Sequence, residues 1–413
     1  MRFLNQYCPL CEVFRMNRKY LLSALMLLVA WSFFAACTAP DDPNNPNNPN
    51  NPNNPNNPKV EPVTPLPKST FVYVQYDGKG NGQIYSFDTS TNKRARIHAL
   101  MSFGNVPTAS PSIALSPDRK WIAMTGLFRP SEKEMKQGKA VRSLWKISVD
   151  GKQTIRLSDP IHLLNGRACQ NDSQCSDLGQ VCNVGLGQCT KRNYTLGLSS
   201  PEWSNDGKTV YVVFSQHWSG ASGRLEGGAT LATVPANGGT MNLRNVVAGC
   251  QQITNPSFHP KDNSLVAYHS VCSSGLSGFH LYDGGLSKDG TKLIKDPNVN
   301  DQMGKVAWMP DGSGFFFLAS TNWDTNNDGK TDLQGTGLVF YHSKDGKMEG
   351  AIPPLNQGLS FGQYAVSPNS DAFVLCVQNN QKSTFDLYWF SLGQKKSDSK
   401  QLTTDGKSCA PSW

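Results

Sequence analysis

One recurring pattern constrains this chain more than any other: a short strand, a tight turn rich in Pro, Asp, Gly and Asn, then a second apolar strand. The first strands close on Leu115 ("SIALSPDRK"), Trp203 ("PEWSNDGK"), Phe258 ("PSFHPKDN"), Trp308 ("VAWMPDGS"), Val366 ("YAVSPNSD") and Trp413 ("PSW"). The gaps between them are 88, 55, 50, 58 and 47 residues. The outlier contains a Cys-rich stretch, residues 161–197; without those 37 residues it falls to 51. The period is therefore about fifty residues, the size of a unit with four short strands.

Each unit has the same anatomy. From Ser116, Ser204, His259, Met309 and Ser367 a constant offset of six leads to Ile122, Val210, Leu265, Phe315 and Phe373 in the second strand. Those strands read "WIAMTG", "TVYVVFS", "SLVAYHS", "GFFFLAS" and "AFVLCV", β-branched and aromatic as strands require. Third strands follow ("SLWKISVDG", "TLATVPANGG", "FHLYDGG", "LVFYHSKDG", "DLYWFSLG"), then weaker fourth ones such as "TIRLSD" and "KQLTTDG". With 37 Gly and 26 Pro in 413 residues, the composition suits a turn-rich all-β chain. The first unit, "STFVYVQYDGKGNGQIYSFDTSTNKRARI", starts at its second strand. The terminal "APSW" is expected to supply the missing first strand, so that both chain ends share one blade and the ring has no open edge. The expectation is an all-β, six-bladed β-propeller over residues 70–413, with a small disulfide-rich insertion at 161–197 between blades two and three.

The "SPDGK"-type turns, "IYxxD"-like third strands and terminal "LT" resemble the TolB-like, or PD40 (WD40-like), β-propeller family over about residues 70–413. The resemblance implies binding surfaces rather than a particular reaction. It also departs from TolB, which carries an N-terminal α/β domain where this chain has only a spacer.

Residues 1–36 read as a secretory signal, with the true start expected at Met16. Arg18 and Lys19 precede an apolar stretch that ends in "FAAC" at Cys37. That ending resembles the lipobox of bacterial lipoproteins, which implies acylation of Cys37 and a lipid anchor in the cell envelope. Thr38 replaces the Asp that would retain such a protein in the inner membrane, which favours the outer membrane. The repeat "PNNPNNPNNPNNPNNP" at 43–58 has no apolar residue to bury. Within the 37–69 spacer it is expected to extend as polyproline II, at about 3.1 Å per residue. The net charge of +8 comes without a basic, aromatic-interleaved cluster, so nucleic acid is not an expected partner. The chain is expected to act as a monomer.

Chemistry-bearing motifs are few. "DTNNDGKTD" places Asp324, Asn326, Asp328, Lys330 (through its carbonyl) and Asp332 at the spacing of a calcium loop. Gly335 stands where an EF-hand has Glu, so the expectation is a structural Ca²⁺ outside an EF-hand. Cys169, Cys175, Cys182 and Cys189 are expected to form disulfides in an oxidising compartment, with three pairings open. Zinc is the rival, but no two of these Cys have the two-to-four-residue spacing of structural zinc sites. Cys250 and Cys272 flank one hairpin symmetrically, and a disulfide between them is expected. Cys376 and Cys409 would meet where blades six and one adjoin, and a disulfide there would lock the closure.

The long strand-two-to-three connections all fall on one face of such a ring, whereas the first-to-second turns on the other face are tight. The long-loop face, with His217, Trp218 and Trp323, is therefore the expected binding face. No nucleophile elbow, phosphate loop or paired-His metal motif occurs in the sequence. The function expected is a lipid-anchored envelope binding or scaffold protein for a protein or glycan ligand. The alternative is a propeller enzyme, a polysaccharide lyase or hydrolase with a site at the channel mouth.

Overall fold

The structure is a computed structural model. It describes residues 62–76, 81–102, 112–126, 143–158, 169–175, 180–183, 188–190, 195–219, 225–244, 250–272, 278–282, 291–294, 300–301, 305–323, 333–342, 346–352, 358–392 and 399–413. Val63–Trp413 forms one packed unit. The signal, Cys37 and the Asn/Pro repeat lie outside the described residues.

Six antiparallel sheets follow one another along the chain. Blade two is typical, with Ile113–Leu115, Trp121–Gly126, Ser143–Ser148 and Thr154–Ser158 paired in that order. Blade three runs from Thr195–Trp203 to Asn242–Arg244, blade four from Cys250–His259 to Thr291–Ile294, and blade six from Leu359–Val366 to Lys400–Gln401. In blade five two short pieces, Asn300–Asp301 and Ala307–Trp308, share the inner edge of Gly314–Trp323. Blade one takes its inner strand from the other end of the chain: Ser408–Ser412 pairs antiparallel with Thr70–Tyr76, through Val74↔Cys409 and Gln75↔Ser408. The all-β, six-bladed propeller closed by both chain ends is therefore the observed fold.

Side-chain alternation explains why the second strands are apolar on both faces. Phe315 and Phe317 pack toward blade four, while Phe316 and Leu318 pack toward blade six. Likewise Val72 and Val74 meet blade two, while Phe71 and Tyr73 meet blade six. Each of the six blade boundaries holds one apolar cluster of this kind. A sheet buried on both faces needs a continuous apolar run, which "GFFFLAS" supplies.

The tight turn has a repeated chemistry. The Ser116 hydroxyl accepts hydrogen bonds from the Lys120 and Trp121 amides and donates to the Asp118 carboxylate. Ser204 and Ser367 make equivalent latches with Asp206 and Thr209, and with Asp371 and Ala372. These are local side-chain bonds that compete well against other backbone states. The turns require one left-handed residue each: Arg119, Gly207, Gly312 and Ser370 have φ of 60°, 68°, 78° and 59°. Blade five has Met309 in place of the serine, and there Gly312 is needed twice over. A Cβ on it would lie 2.6 Å from the His259 ring of blade four.

Two boundaries differ from the sequence reading. Val63 to Lys68, assigned to the spacer, belong to the packed unit, where Val63 is buried between blades one and two. Blade three's inner strand starts at Thr195, inside the stretch assigned to the insertion. The insertion itself contains a one-turn 3₁₀ helix at Asp172–Gln174 and a hairpin pairing Val181–Asn183 with Gln188–Thr190.

Candidate functional site

The first strands ring a central channel, and at its tight-turn end they enclose a cavity of about 360 Å³. All six blades contribute to its wall, through Ser412, Leu115, Trp203, Phe258, Trp308 and Val366 among others. Pro117, Pro260, Pro310 and Pro368 stand around the mouth. This volume lies in the range of small-ligand sites.

The wall is rigid because each blade boundary near it is cross-linked. Ser412 Oγ accepts the Leu115 amide between blades one and two, at 2.9 Å. Trp203 donates its indole N–H to Ala114 O of blade two, at 2.9 Å. Trp308 repeats this one pair of blades later, donating to Ser257 O at 3.0 Å. The Asn205 amide donates to Asn263 Oδ1 between blades three and four. The Tyr364 hydroxyl reaches Lys305 O and Phe316 O between blades six and five. The Cys376–Cys409 disulfide joins blade six to the closing strand of blade one. The tryptophans of the repeat are thus buried rivets: Trp203 and Trp308 are only 5% and 6% exposed.

Two charges sit inside. In the column just before the strand-closing residues stand Ala114, Glu202, Ser257, Ala307, Ala365 and Ser412. Five are small and leave the channel open, and Glu202 alone is large and ionisable. Burial pushes its carboxyl up to about 7, and the attraction of Lys305 only partly opposes this. Lys305, from blade five, is pulled below its ordinary value by burial, again partly opposed by Glu202. Neither side chain makes a hydrogen bond or close ion pair among the described residues. Both face the open space of the cavity and are only half-buried, although protein surrounds them. Lys68 and Arg119 complete the titratable lining. Arg119 is already committed: its guanidinium donates to the carbonyls of Leu66, Pro67 and Thr70. That clamp fixes the entry segment, which Leu66 N returns by donating to Arg119 O.

Glu202 and Lys305 are not among the residues expected from the sequence, because the repeat is carried by the apolar column and Glu202 stands in the column beside it. A single acid among small residues was the available signal. The residues that were expected are distributed as follows. His217 and Trp218 lie near the end of blade three's second strand, at the opposite end of the sheet from the cavity, and pair with Gly227 and Glu226. Trp323 ends the second strand of blade five at the same face. The calcium-loop residues Asp324 to Asp332 lie outside the described residues, as does Cys37.

The cysteines of the insertion pair as Cys169–Cys182 and Cys175–Cys189. Their sulfurs cluster closely enough to suggest a metal, with those of Cys169, Cys175 and Cys182 within 4.8 Å of one another. In disulfides they offer no thiolate for zinc. With these four as its own buried cluster, the insertion is a stapled module. Cys250 and Cys272 are register partners on their hairpin.

The sequence matches no protein-family model and no curated protein. Its structure is similar to the tricorn protease, with a TM-score of 0.42, 9% identity, and coverage of 82% of this chain and 30% of that one. It is also similar to the propeller domain of the trilobed protease from Pyrococcus furiosus, with a TM-score of 0.39, 11% identity, and coverage of 83% and 93%. A third similar structure is a GH74 enzyme from Niastella koreensis, at a TM-score of 0.42 and 11% identity, covering 82% and 46%. The chain thus spans less than a third of the tricorn protease. At these values the likeness says nothing about activity, and the fold rests on the sheet order and the six blade boundaries.

Proposed function

We propose that this chain is a binding protein of the bacterial cell envelope, tethered by lipid on Cys37 and presenting its propeller to a protein or glycan of that envelope. The observation that supports it is the mouth cavity. Six blades, bolted to their neighbours, hold a preformed pocket whose wall carries one acid, Glu202, among three basic side chains, Lys68, Arg119 and Lys305, and otherwise small, apolar and neutral polar residues. A rigid, preformed site loses little conformational entropy on binding. The Asn/Pro spacer gives the domain reach, on the order of 50 Å if fully extended. Structural Ca²⁺ at Asp324 to Asp332 would stiffen a loop on the opposite face. The test is a pull-down from detergent-solubilised envelope with the wild type and with Pro368→Trp, which places a large ring at the mouth. A partner held by the wild type and lost by the variant supports the reading; a partner held equally by both refutes the mouth as its site.

A second reading has its own observation. A carboxyl pushed to about 7 beside a lysine pulled below its ordinary value is an arrangement that general acid–base catalysis uses. On that reading the mouth is the site of a polysaccharide lyase or hydrolase. Turnover of envelope polysaccharide that Glu202→Gln abolishes, with binding retained, would favour it over the binding protein.

A further inference from the structure

We propose that the mouth cavity binds the carboxylate of a small organic acid and takes up one proton as it fills. This rests on the reading of the mouth as a binding site, and it names the group that site receives. The ionisable side chains lining the cavity are Lys68, Arg119, Glu202 and Lys305, with Tyr211 opposite Glu202 in the strand register and Trp413, the last residue of the sequence, also in the wall. Three of these four side chains are cationic, so together they carry excess positive charge even when Glu202 is ionised. Arg119 spends its donors on backbone carbonyls, but the Lys305 ammonium makes no hydrogen bond or close ion pair among the described residues, and Lys305 lines the same cavity as Glu202. An entering carboxylate would give Lys305 a hydrogen-bonded counter-charge, where Glu202 attracts it without a close ion pair.

That same anion would stand beside Glu202. Two carboxylates sharing one low-dielectric site do not both stay ionised. Glu202 takes the proton because burial already favours its neutral form. Solvent supplies the proton, and the new O–H donates to the ligand's second oxygen. The bound state is then an ammonium, a carboxylate and a carboxylic acid, all hydrogen-bonded. A cationic ligand would instead meet three like charges against the single carboxyl of Glu202.

The experiment is calorimetric titration of the full-length protein in detergent with acetate, propionate and succinate, and with methylammonium as the opposite charge. In the wild type, affinity for at least one acid should rise about fivefold from pH 8 to pH 7 and level off below about pH 6, following the neutral fraction of Glu202. Repeating the titration in two buffers of different ionisation heat should show uptake of close to one proton at about pH 8, a readout that needs no variant. Glu202→Gln should still bind but lose the pH dependence. Lys305→Met should lose about tenfold or more in affinity at pH 7. Affinity that is flat with pH, methylammonium binding better than the acids, or Lys305→Met binding like the wild type would each overturn the proposal. If no acid binds while Pro368→Trp still loses its envelope partner, this inference fails and the mouth remains the docking site. If Pro368→Trp keeps the partner, the docking reading fails with it.

Discussion

Trp413 donates its indole N–H to the carbonyl of Lys68, 345 positions earlier in the chain, at 2.7 Å. Its ring lies 5.7 Å from that of Phe71. The same seam carries the pairing of Ser408–Ser412 with Thr70–Tyr76 and the Arg119 clamp on the entry segment. Closure is thus made by backbone pairing, an aromatic contact and side-chain clamps acting on one strand.

Deleting residues 408–413 should therefore be severe. It strips blade one of its inner strand, exposes a pairing edge and removes buried Cys409 and Ala410. Replacing a buried large side chain alone costs about 3–5 kcal/mol, and the deletion removes more than that. Denaturant melts of the full and shortened proteins measure it. An unchanged midpoint would show that the ring does not depend on this strand.

Cys409→Ala should cost about 2–4 kcal/mol, the usual worth of a disulfide closing a loop of this order. The bond joins residues 33 apart in sequence but spans the blade-six-to-blade-one boundary. The wild type should lose that much stability in reductant beyond whatever the variant loses. Equal losses would mean that the seam is held without it.

Arg119 and Ser370 occupy the same left-handed turn position, yet their glycine variants should have opposite effects. A non-glycine residue there is strained by roughly 1–2 kcal/mol. Ser370→Gly relieves this and should stabilise by about 0.5 kcal/mol after glycine's extra unfolded-state freedom is counted. Arg119→Gly relieves the same strain but loses three hydrogen bonds to carbonyls. It should destabilise by about 4 kcal/mol or more, since bonds from a charged donor contribute about 1.5–3 each and the strain relief offsets only about 0.5. Urea titration of both variants decides. A matching sign would mean that the clamp contributes nothing.

Cys37→Ala should release the protein from membranes while leaving the propeller folded, because the proposed anchor is acyl chains on that residue alone. Each buried CH₂ contributes about 0.8 kcal/mol to anchoring. Fractionation with a salt wash, paired with a melt of the released form, is the check. A variant that still sediments with membranes would refute lipid attachment at Cys37.

The fold was legible because its information is periodic. The apolar column from Leu115 to Trp413, the six-residue offset to the second strands and the lack of any first strand ahead of Thr70 are repeated choices that one error cannot hide. The seam's clamp was not legible. Val63 to Lys68 has no strand pattern, and what holds it is a left-handed arginine whose role is set by a partner 53 residues away. The cavity charges were hidden for a related reason. Glu202 is a single departure inside a column of small residues, and Lys305 reaches the same space only because blade five follows two places on in the ring. The stretches that drew attention to the long-loop face, by contrast, are mostly single insertions with no repeat to fix their geometry.

Stability should depend on pH through the same buried carboxyl. Glu202 titrates near its ordinary 4.5 when unfolded and at about 7 when folded. Below 4.5 it is neutral in both states and costs nothing. Between 4.5 and about 7 the unfolded chain ionises first, so stability falls with rising pH; above 7 the loss is complete. A displacement of this size is worth about 3 kcal/mol at most. His269 acts in the opposite direction. Burial holds its ring at about 4 against an ordinary 6.5, so its contribution is lost as pH falls through that interval. The two slopes overlap in the wild type and partly cancel. Comparison with Glu202→Gln separates them, because His269 is common to both proteins. The variant should match the wild type at about pH 4.5 and exceed it by up to about 3 kcal/mol at about pH 8, since burial outweighs the Lys305 attraction. Denaturant unfolding at several pH values gives the difference directly. A variant less stable than the wild type at the alkaline end would mean that the Glu202–Lys305 attraction, not burial, governs the cavity.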